Sequence, residues 1–292
     1  MNSGASRSIR WAQAGLLVNA LLVLVKLIAG IVGHANALVA DAIESSADIF
    51  SSLIVWMGLS IATRPADEDH PYGHGKAEFL SAAIVSLMLI GAAIGISIMA
   101  IREIVTPHHL PAPFTLFVAA GVIVLKEAMY RRVSRVGAEV GSTVIAADAW
   151  HHRADAISSL AAFIGISIAL IGGTGWEAAD DWAALAAAVV VSVNGVRTLR
   201  PAIAGLMDEA PDRAVKEKAL QAALRVPGVR HVENLKVRGS GLGFFVDLHV
   251  QADPTMSLEE AHEIAATVKY TIREEIPSVV SVLVHMEPYR KS

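Results

Sequence analysis

Six long apolar segments, each of about 20 residues or more, dominate the first two thirds of this chain. They cover residues 11–33, 36–63, 78–104, 114–136, 142–172 and 179–205. A bilayer core is about 30 Å thick, so a helix of about 20 apolar residues can cross it. Only 18% of the residues are charged, against about a quarter in soluble domains. The segments therefore predict an all-α, six-helix membrane domain over residues 1–208.

Basic residues predict how these segments are oriented. Arg7 and Arg10 precede the first segment, and further Lys or Arg residues lie in the second loop and at the ends of the fourth and sixth segments. The first, third and fifth loops contain neither residue type. Because cytoplasmic loops carry the excess of Lys and Arg, both termini are expected in the cytoplasm. The first segment lacks a small-residue cleavage site, so we interpret it as a retained span, in a bacterial inner membrane.

Acidic residues interrupt the second and fifth segments, where each is expected to cost at least ~2.5–3.5 kcal/mol on insertion scales. Glu44 and Asp48 are four residues apart, and so are His151 and Asp155. Residues four apart share one face of a helix, so two helices together can present four metal ligands. The alternative is a set of polar contacts between helices, or an ion pair with Arg153. Two such pairs in different segments favour a four-coordinate site for a divalent metal.

Two further acidic residues lie close to these ligands in the sequence. Asp41 comes one helical turn before Glu44, and Asp148 comes three residues before His151. We interpret both as groups that support the ligands or carry protons, with solvation of the helix ends as the alternative. The chain has no cysteine, so any metal has to be held by histidine and carboxylate side chains.

The loop after the second segment contains a second candidate metal site. Asp67, His70 and His74 have the spacing of metal ligands. The alternative is a polar turn with surface histidines. The nearby run of Gly73, Gly75 and Lys76 lacks the spacing of a phosphate-binding loop, and no strand precedes it, so nucleotide binding is not predicted. The net charge of −4 gives no indication of nucleic-acid binding either, and no organic cofactor is expected.

The composition changes after residue 208, and the last third predicts a small cytoplasmic α+β domain over residues 209–292. Charged and apolar residues alternate there at helical and strand spacing. Ser257 followed by Glu260 is a capping-box pattern at the start of a helix. The predicted order is αββαβ, with elements at residues 211–225, 229–237, 244–251, 257–272 and 279–287.

Histidines in this last third form a third candidate metal site. Lone histidines on half-exposed strands are usually inert, but three histidines and a carboxylate in one small domain favour a metal site. Glu233 or His231 would add a ligand. The candidate ligands are His249, His262, His285 and Glu287.

Four motifs of the chain together resemble those of a known family. Residues 38–48 (LVADAxESxxD), 65–78 (PADxDHPYGHGKAE), 147–156 (ADAWHHRxDA) and 206–208 (LMD) are similar to those of the cation diffusion facilitators, in particular the bacterial zinc and ferrous-iron efflux members. The similarity covers nearly the whole chain, and the motifs together are highly specific.

The resemblance implies a fold and a function. It implies six spans, a metallochaperone-like cytoplasmic domain, a homodimer in the lipid membrane, and export of a divalent metal in exchange for protons. Lys76 is implied to pair with Asp208 and to join the membrane halves of two protomers to the tail. The implied sites are a transport site (Glu44, Asp48, His151, Asp155), a loop site (Asp67, His70, His74) and a zinc site of the tail histidines at the dimer contact.

The sequence departs from the family pattern at the proposed ligands. Zinc members usually have His or Asp where Glu44 stands. Zn²⁺ is the substrate that we expect first. Three carboxylates and one imidazole make a harder site, however, which selects Zn²⁺ less strongly and also admits Fe²⁺ or Mn²⁺. In the tail, Glu233 and Glu287 stand where His and Asp are more typical.

Two other classes of function compete with transport. A membrane metalloenzyme would use the buried metal to activate water, but the chain has no HExxH motif and no nucleophile elbow, so no enzyme activity is predicted. A membrane metal sensor or scaffold would act through its cytoplasmic domain. A sensor should lose its function when residues 209–292 are deleted, whereas an antiporter should keep some flux.

Overall fold

Six long helices follow one another in the described part of the membrane region. The computed structural model describes the backbone of residues 3–106, 109–140, 143–173, 175–241 and 243–290, and the side chains of the same residues except 3–16, 136–140, 143–152 and 154. Within this part, five helices are long and apolar enough to cross a membrane, and α1 has a shorter apolar stretch over Leu17–Val32. The predicted helical membrane domain is confirmed. The helices are α1 (Ser3–Val32), α2 (Asn36–Ala62), α3 (Lys76–Val105), α4 (Pro113–Val140), α5 (Thr143–Gly172) and α6 (Ala179–Leu206).

Small side chains pack the helices against one another. Large apolar residues lie on the outside instead, as on α1, where Leu17, Leu21 and Leu24 are all more than half exposed. Lipid tails are as apolar as leucine, so helices associate in a membrane through close packing of small residues rather than through apolar burial. The buried cluster that joins α2, α3, α5 and α6 is accordingly rich in alanine: Ala37, Ala40, Ala93, Ile96, Ala100, Ala162, Ala184, Ala188 and Val191.

The first turn of α6 positions the start of α2. The carboxylate of Asp180 accepts from the backbone N–H of Ala37 at 3.3 Å, and the side-chain amide of Asn36 donates to Asp181 Oδ1 at 2.8 Å. The first N–H groups of a helix lack partners within the helix, so a carboxylate there satisfies them and complements the helix dipole. The carboxylate-bearing helix α2 is thereby anchored at its beginning.

Contacts divide the chain into two units, residues 1–54 with 84–197 and residues 55–83 with 198–292. The second unit contains an αββαβ domain. Its strands form one sheet in the order β1-β2-β3, with β1 and β2 antiparallel and β2 and β3 parallel. The predicted element order is confirmed. The elements are α7 (Arg213–Leu224), β1 (His231–Ser240), β2 (Gly243–Ala252), α8 (Leu258–Glu275) and β3 (Val279–Pro288).

One face of this sheet is covered by the two helices. Val246, Leu248 and Val250 of β2 are buried together with Val268 and Ile272 of α8. Side chains alternate along a strand, so the residues between them lie on the opposite, open face. The capping box at the start of α8 is also present: the backbone N–H of Glu260 donates to Ser257 Oγ at 3.2 Å, and the N–H of Ser257 donates to Glu260 Oε2 at 2.7 Å.

Candidate metal sites

Hydrogen bonds join the acidic face of α2 to α5. The hydroxyl of Ser158 donates to Glu44 Oε2 at 2.7 Å, and the hydroxyl of Ser159 donates to Asp41 Oδ2 at 2.7 Å. Asp41 and Glu44, three residues apart on α2, therefore contact two adjacent serines on α5. Glu44 also lies close enough to Asp48 and Asp155 for their charges to interact. Glu44 thus lies within charge-interaction range of two other predicted ligands, but these three carboxylates are not among the described groups whose ligand atoms all lie within 4.8 Å of one another.

The side chains of His151 and Asp148 lie outside the described residues, although the backbone of both belongs to α5. The guanidinium of Arg153 donates to the hydroxyl of Tyr130 at 2.9 Å and stacks over its ring at 4.7 Å from the centroid.

Two buried lysines accompany the carboxylates. Lys26 of α1 is fully buried, and its ammonium lies 3.0 Å from Asp41 Oδ2 and donates to Ser45 Oγ at 2.7 Å. Lys126 of α4 is 2% exposed and lies 2.5 Å from Asp155 Oδ2. The sequence analysis identified neither lysine as a partner of these carboxylates. The sequence did contain a signal for both partners, because a lysine in the middle of an apolar segment needs a polar or charged partner to be tolerated there.

The loop ligands lie together around one carboxylate. Asp67 Oδ1 lies 3.0 Å from His70 Nδ1, and Asp67 Oδ2 lies 3.4 Å from His74 Nε2. The two imidazole rings are 4.3 Å apart between centroids. One ligand atom from each of the three residues fits within 4.8 Å of the others. This is a compact one-carboxylate, two-imidazole arrangement, and Zn²⁺ and related divalent ions favour such donors.

The backbone prepares two of these side chains for metal binding. His74 Nδ1 lies 3.2 Å from the carbonyl oxygen of Pro65, which can only accept, so Nδ1 is the donor to this carbonyl and Nε2 is the nitrogen that faces Asp67. The backbone N–H of His70 donates to Asp67 Oδ1 at 2.6 Å. This bond is the main reason why the pKa of Asp67 lies below its usual value; partial burial opposes it, and the imidazole of His70 adds to it.

The open face of the C-terminal sheet carries the third group. His249 and His285 are register partners on β2 and β3, and their ring centroids are 4.9 Å apart. Glu287 Oε1 lies 2.8 Å from His249 Nδ1 and 3.7 Å from His285 Nε2. One ligand atom from each fits within 4.8 Å of the others. Glu233 is the register partner of His249 across β1 and β2 and lies close enough to Glu287 to influence its pKa, so it lies beside this group.

His262, the remaining predicted ligand of this site, does not join these side chains within the described part of the chain. It lies on α8, which packs against the buried face of the sheet, whereas His249 lies on the open face. Helical and strand spacing assign each residue to a face of its own element, but they do not say which faces meet.

The surroundings of Glu287 predict a pH dependence of stability. Partial burial raises its pKa, but hydrogen bonds with His249 and Glu233 and the nearby imidazoles outweigh this and lower the pKa below 4.5. A lowered folded pKa stabilises the fold above the unfolded pKa, and this contribution is lost as the pH falls through the folded pKa.

We therefore expect Glu287→Gln, in the metal-free full chain, to reduce hydrogen-exchange protection of β3 at neutral pH. The difference from wild type should disappear as the pH falls below 4.5, measured by mass spectrometry in the presence of a chelator. A difference that stays constant across this range would mean that the carboxylate charge is not responsible.

A charged cluster surrounds Asp208, just after α6. Its carboxylate lies 3.1 Å from the ammonium of Lys76 and 3.6 Å from the guanidinium of Arg238 on β1. The structure therefore brings Lys76 and Asp208 together, and Arg238 is a partner that sequence reasoning missed. Lys76 and Asp208 are more than one third exposed, so each ion pair contributes at most about 1 kcal/mol to stability.

Comparison with known proteins supports a single family over the whole chain. The family model for the cation efflux transmembrane domain matches residues 12–207. The model for the cytoplasmic domain of cation efflux proteins matches residues 211–289.

Full-length relatives match at about one third identity. The manganese efflux system protein MneP of Bacillus subtilis is 33% identical over 282 residues, which cover 95% of each chain. The magnetosome protein MamB of Magnetospirillum gryphiswaldense is 33% identical over 268 residues, covering 91% of this chain and 89% of MamB. A solved structure of the MamM C-terminal domain, residues 215–293, is 35% identical and covers 26% of this chain and 98% of that one, with a TM-score of 0.26.

Proposed function

The chain belongs to the cation efflux family, the cation diffusion facilitators, and from this premise we propose that it exports divalent transition-metal cations from the cytoplasm in exchange for protons. The protein is a multi-pass membrane transporter for divalent metal cations and not an enzyme. The exchange for protons, the metal and the site residues are the parts that we propose.

The observation that supports the proposal is the set of carboxylates on the face of α2 that contacts α5. Glu44 and Asp41 accept hydrogen bonds from two serines of α5. Glu44 also lies within charge-interaction range of Asp48 and Asp155. Carboxylates inside a membrane are costly and mark ion pathways. His151, four residues before Asp155, supplies the fourth ligand. Three carboxylates and one imidazole form a hard donor set, so we propose that Mn²⁺ and Fe²⁺ are transported alongside Zn²⁺. The relative MneP is named as a manganese efflux protein, which supports this range.

The exchange follows from the protonation of the ligands. A neutral imidazole binds metal and an imidazolium does not, so His151 is the natural coupling group. When the site faces the cytoplasm it loses its proton and takes metal. When it faces the outside it takes protons and releases metal. Asp41 and Asp148 are the side chains that we assign to the proton path.

The division of labour along the chain is also part of the proposal. Residues 1–208 transport, and residues 209–292 form a cytoplasmic domain that binds metal and dimerises, with both termini in the cytoplasm of a bacterial cell. Metal held by His249, His285 and Glu287 would draw two tails together and act on the membrane helices through Lys76 and Asp208. Metal at Asp67, His70 and His74 would be a further structural or regulatory ion.

Flux into proteoliposomes under an imposed pH gradient tests the proposed function. Vesicles with an acidic lumen are expected to take up Mn²⁺, Fe²⁺ and Zn²⁺ faster than vesicles without a gradient, with Cd²⁺ measured for comparison. A protonophore should remove the acceleration. Equal initial rates with and without the gradient would exclude proton coupling, and no uptake of any of the four ions would exclude transport.

A further inference from the structure

Lys126 joins three helices around the proposed transport site. Its ammonium lies 2.5 Å from Asp155 Oδ2 on α5 and donates to Asn19 Oδ1 on α1 at 2.8 Å. The lysine is 2% exposed, and it lies well inside the apolar span of α4, Pro113–Arg135. A buried ammonium is costly unless it is paired. This lysine is therefore held in place by a carboxylate that we assign to the metal.

Asp155 is thus shared between two cations. One of its two oxygens, Oδ2, already accepts from Lys126. A metal ion that binds Asp155 meets a positive charge tethered to the same carboxylate. Asn19 offers Lys126 a second acceptor that carries no charge, so the ammonium keeps a hydrogen-bond partner when a metal binds the carboxylate.

Lys126 is one of two buried lysines that pair with these carboxylates in the described part of the chain. Lys26 lies 3.0 Å from Asp41, and Lys126 pairs with Asp155. A buried ion pair holds each charge in place, so removing the charge of Lys126 would leave Asp155 more available to a bound cation.

We propose that Lys126 sets the metal affinity of the transport site by competing with the metal for Asp155. The proposal rests on the proposed function, since it takes Asp155 as a metal ligand. In the empty site Lys126 neutralises Asp155. In the occupied site it is retained by Asn19, and its return to Asp155 helps to expel the metal.

Lys126→Gln is the variant that tests this, because glutamine keeps hydrogen-bonding capacity and removes the charge. A charge a few ångströms away changes ion binding by about one to three powers of ten. We expect KM for Mn²⁺ and Zn²⁺ to fall about tenfold or more in proteoliposomes, and kcat to fall with it because release is slower. Lys126→Arg keeps the charge and should stay close to the wild-type KM.

Asn19→Ala provides a second, independent test in the opposite direction. It removes the alternative acceptor, so Lys126 should hold Asp155 more firmly and KM should rise. If Lys126→Gln does not fold, as judged by size-exclusion chromatography, the result for Asn19→Ala decides.

An unchanged KM in Lys126→Gln, or equal changes in the Gln and Arg variants, would overturn the proposal and leave Lys126 a packing role. An unchanged or lower KM in Asn19→Ala would overturn it as well. The proposed function fails separately, if removal of the Asp155 carboxylate leaves flux intact. Loss of flux on that removal together with an unchanged KM in Lys126→Gln would refute only the role of the lysine.

Discussion

Replacing Asp155 with alanine is expected to abolish metal flux, lowering it by about two orders of magnitude or more, while the dimer still forms. Loss of groups that merely support a metal ligand typically costs 10–100-fold, and a direct ligand should cost at least as much. Flux is measured in proteoliposomes, and the oligomeric state is measured by light scattering after size-exclusion chromatography. Undiminished flux would rule out the transport site that we propose.

The structure shows why alanine alone is an incomplete test. Lys126 is 2% exposed and pairs with Asp155, so Asp155→Ala would leave a buried ammonium without its carboxylate. Breaking a buried ion pair in this way typically costs about 3–5 kcal/mol. Asp155→Asn is the matched control, because it retains an acceptor for Lys126 and nearly the same volume. We expect it to fold like the wild type and to transport as poorly as Asp155→Ala.

Combined replacement of His249 and His285 by alanine is expected to remove one metal ion per protomer from the binding stoichiometry. These imidazoles supply two of the three ligands on the open face of the sheet, and Glu287 alone cannot hold a transition metal at micromolar concentration. The measurement is metal content of the detergent-solubilised full chain after equilibrium dialysis against Zn²⁺.

His262→Ala is the control for this experiment. It removes an imidazole from the same domain, but from α8 on the covered side of the sheet, so the stoichiometry should stay at the wild-type value. Loss of a metal ion in His262→Ala would show that the site includes α8 after all. An unchanged stoichiometry in the His249 and His285 variant would show that the group on the open face holds no metal.

Local periodicity was sufficient to predict the helices and strands themselves. The long apolar segments correspond to α1 to α6, because a span of about 20 apolar residues has few alternatives to a helix in a bilayer. The alternation of charged and apolar residues predicted a strand over residues 244–251, and Val246, Leu248 and Val250 form its buried face. Ser257 and Glu260 identified the start of α8, since both partners of a capping box lie within one turn.

Partners far apart in the sequence were harder to predict. Lys126 and Asp155 were both visible as polar residues in apolar segments, but their pairing depends on how α4 lies against α5. Arg238 reaches Asp208 because β1 runs past the end of α6 within the same unit. His262 was grouped with His249 because they share a small domain, and the packing of α8 placed them on different sides of the sheet.

The sequence by itself determined which helices and strands form, which face of each is polar, and which family the motifs point to. These properties depend on residues a few positions apart, which the helical and strand repeats bring together directly. Only the tertiary structure decided that two buried lysines neutralise two of the four carboxylates between α1, α2, α4 and α5. The physical reason is that a buried charge pairs with a group that helix packing brings within reach. In both pairs the two residues are more than ten positions apart in the sequence.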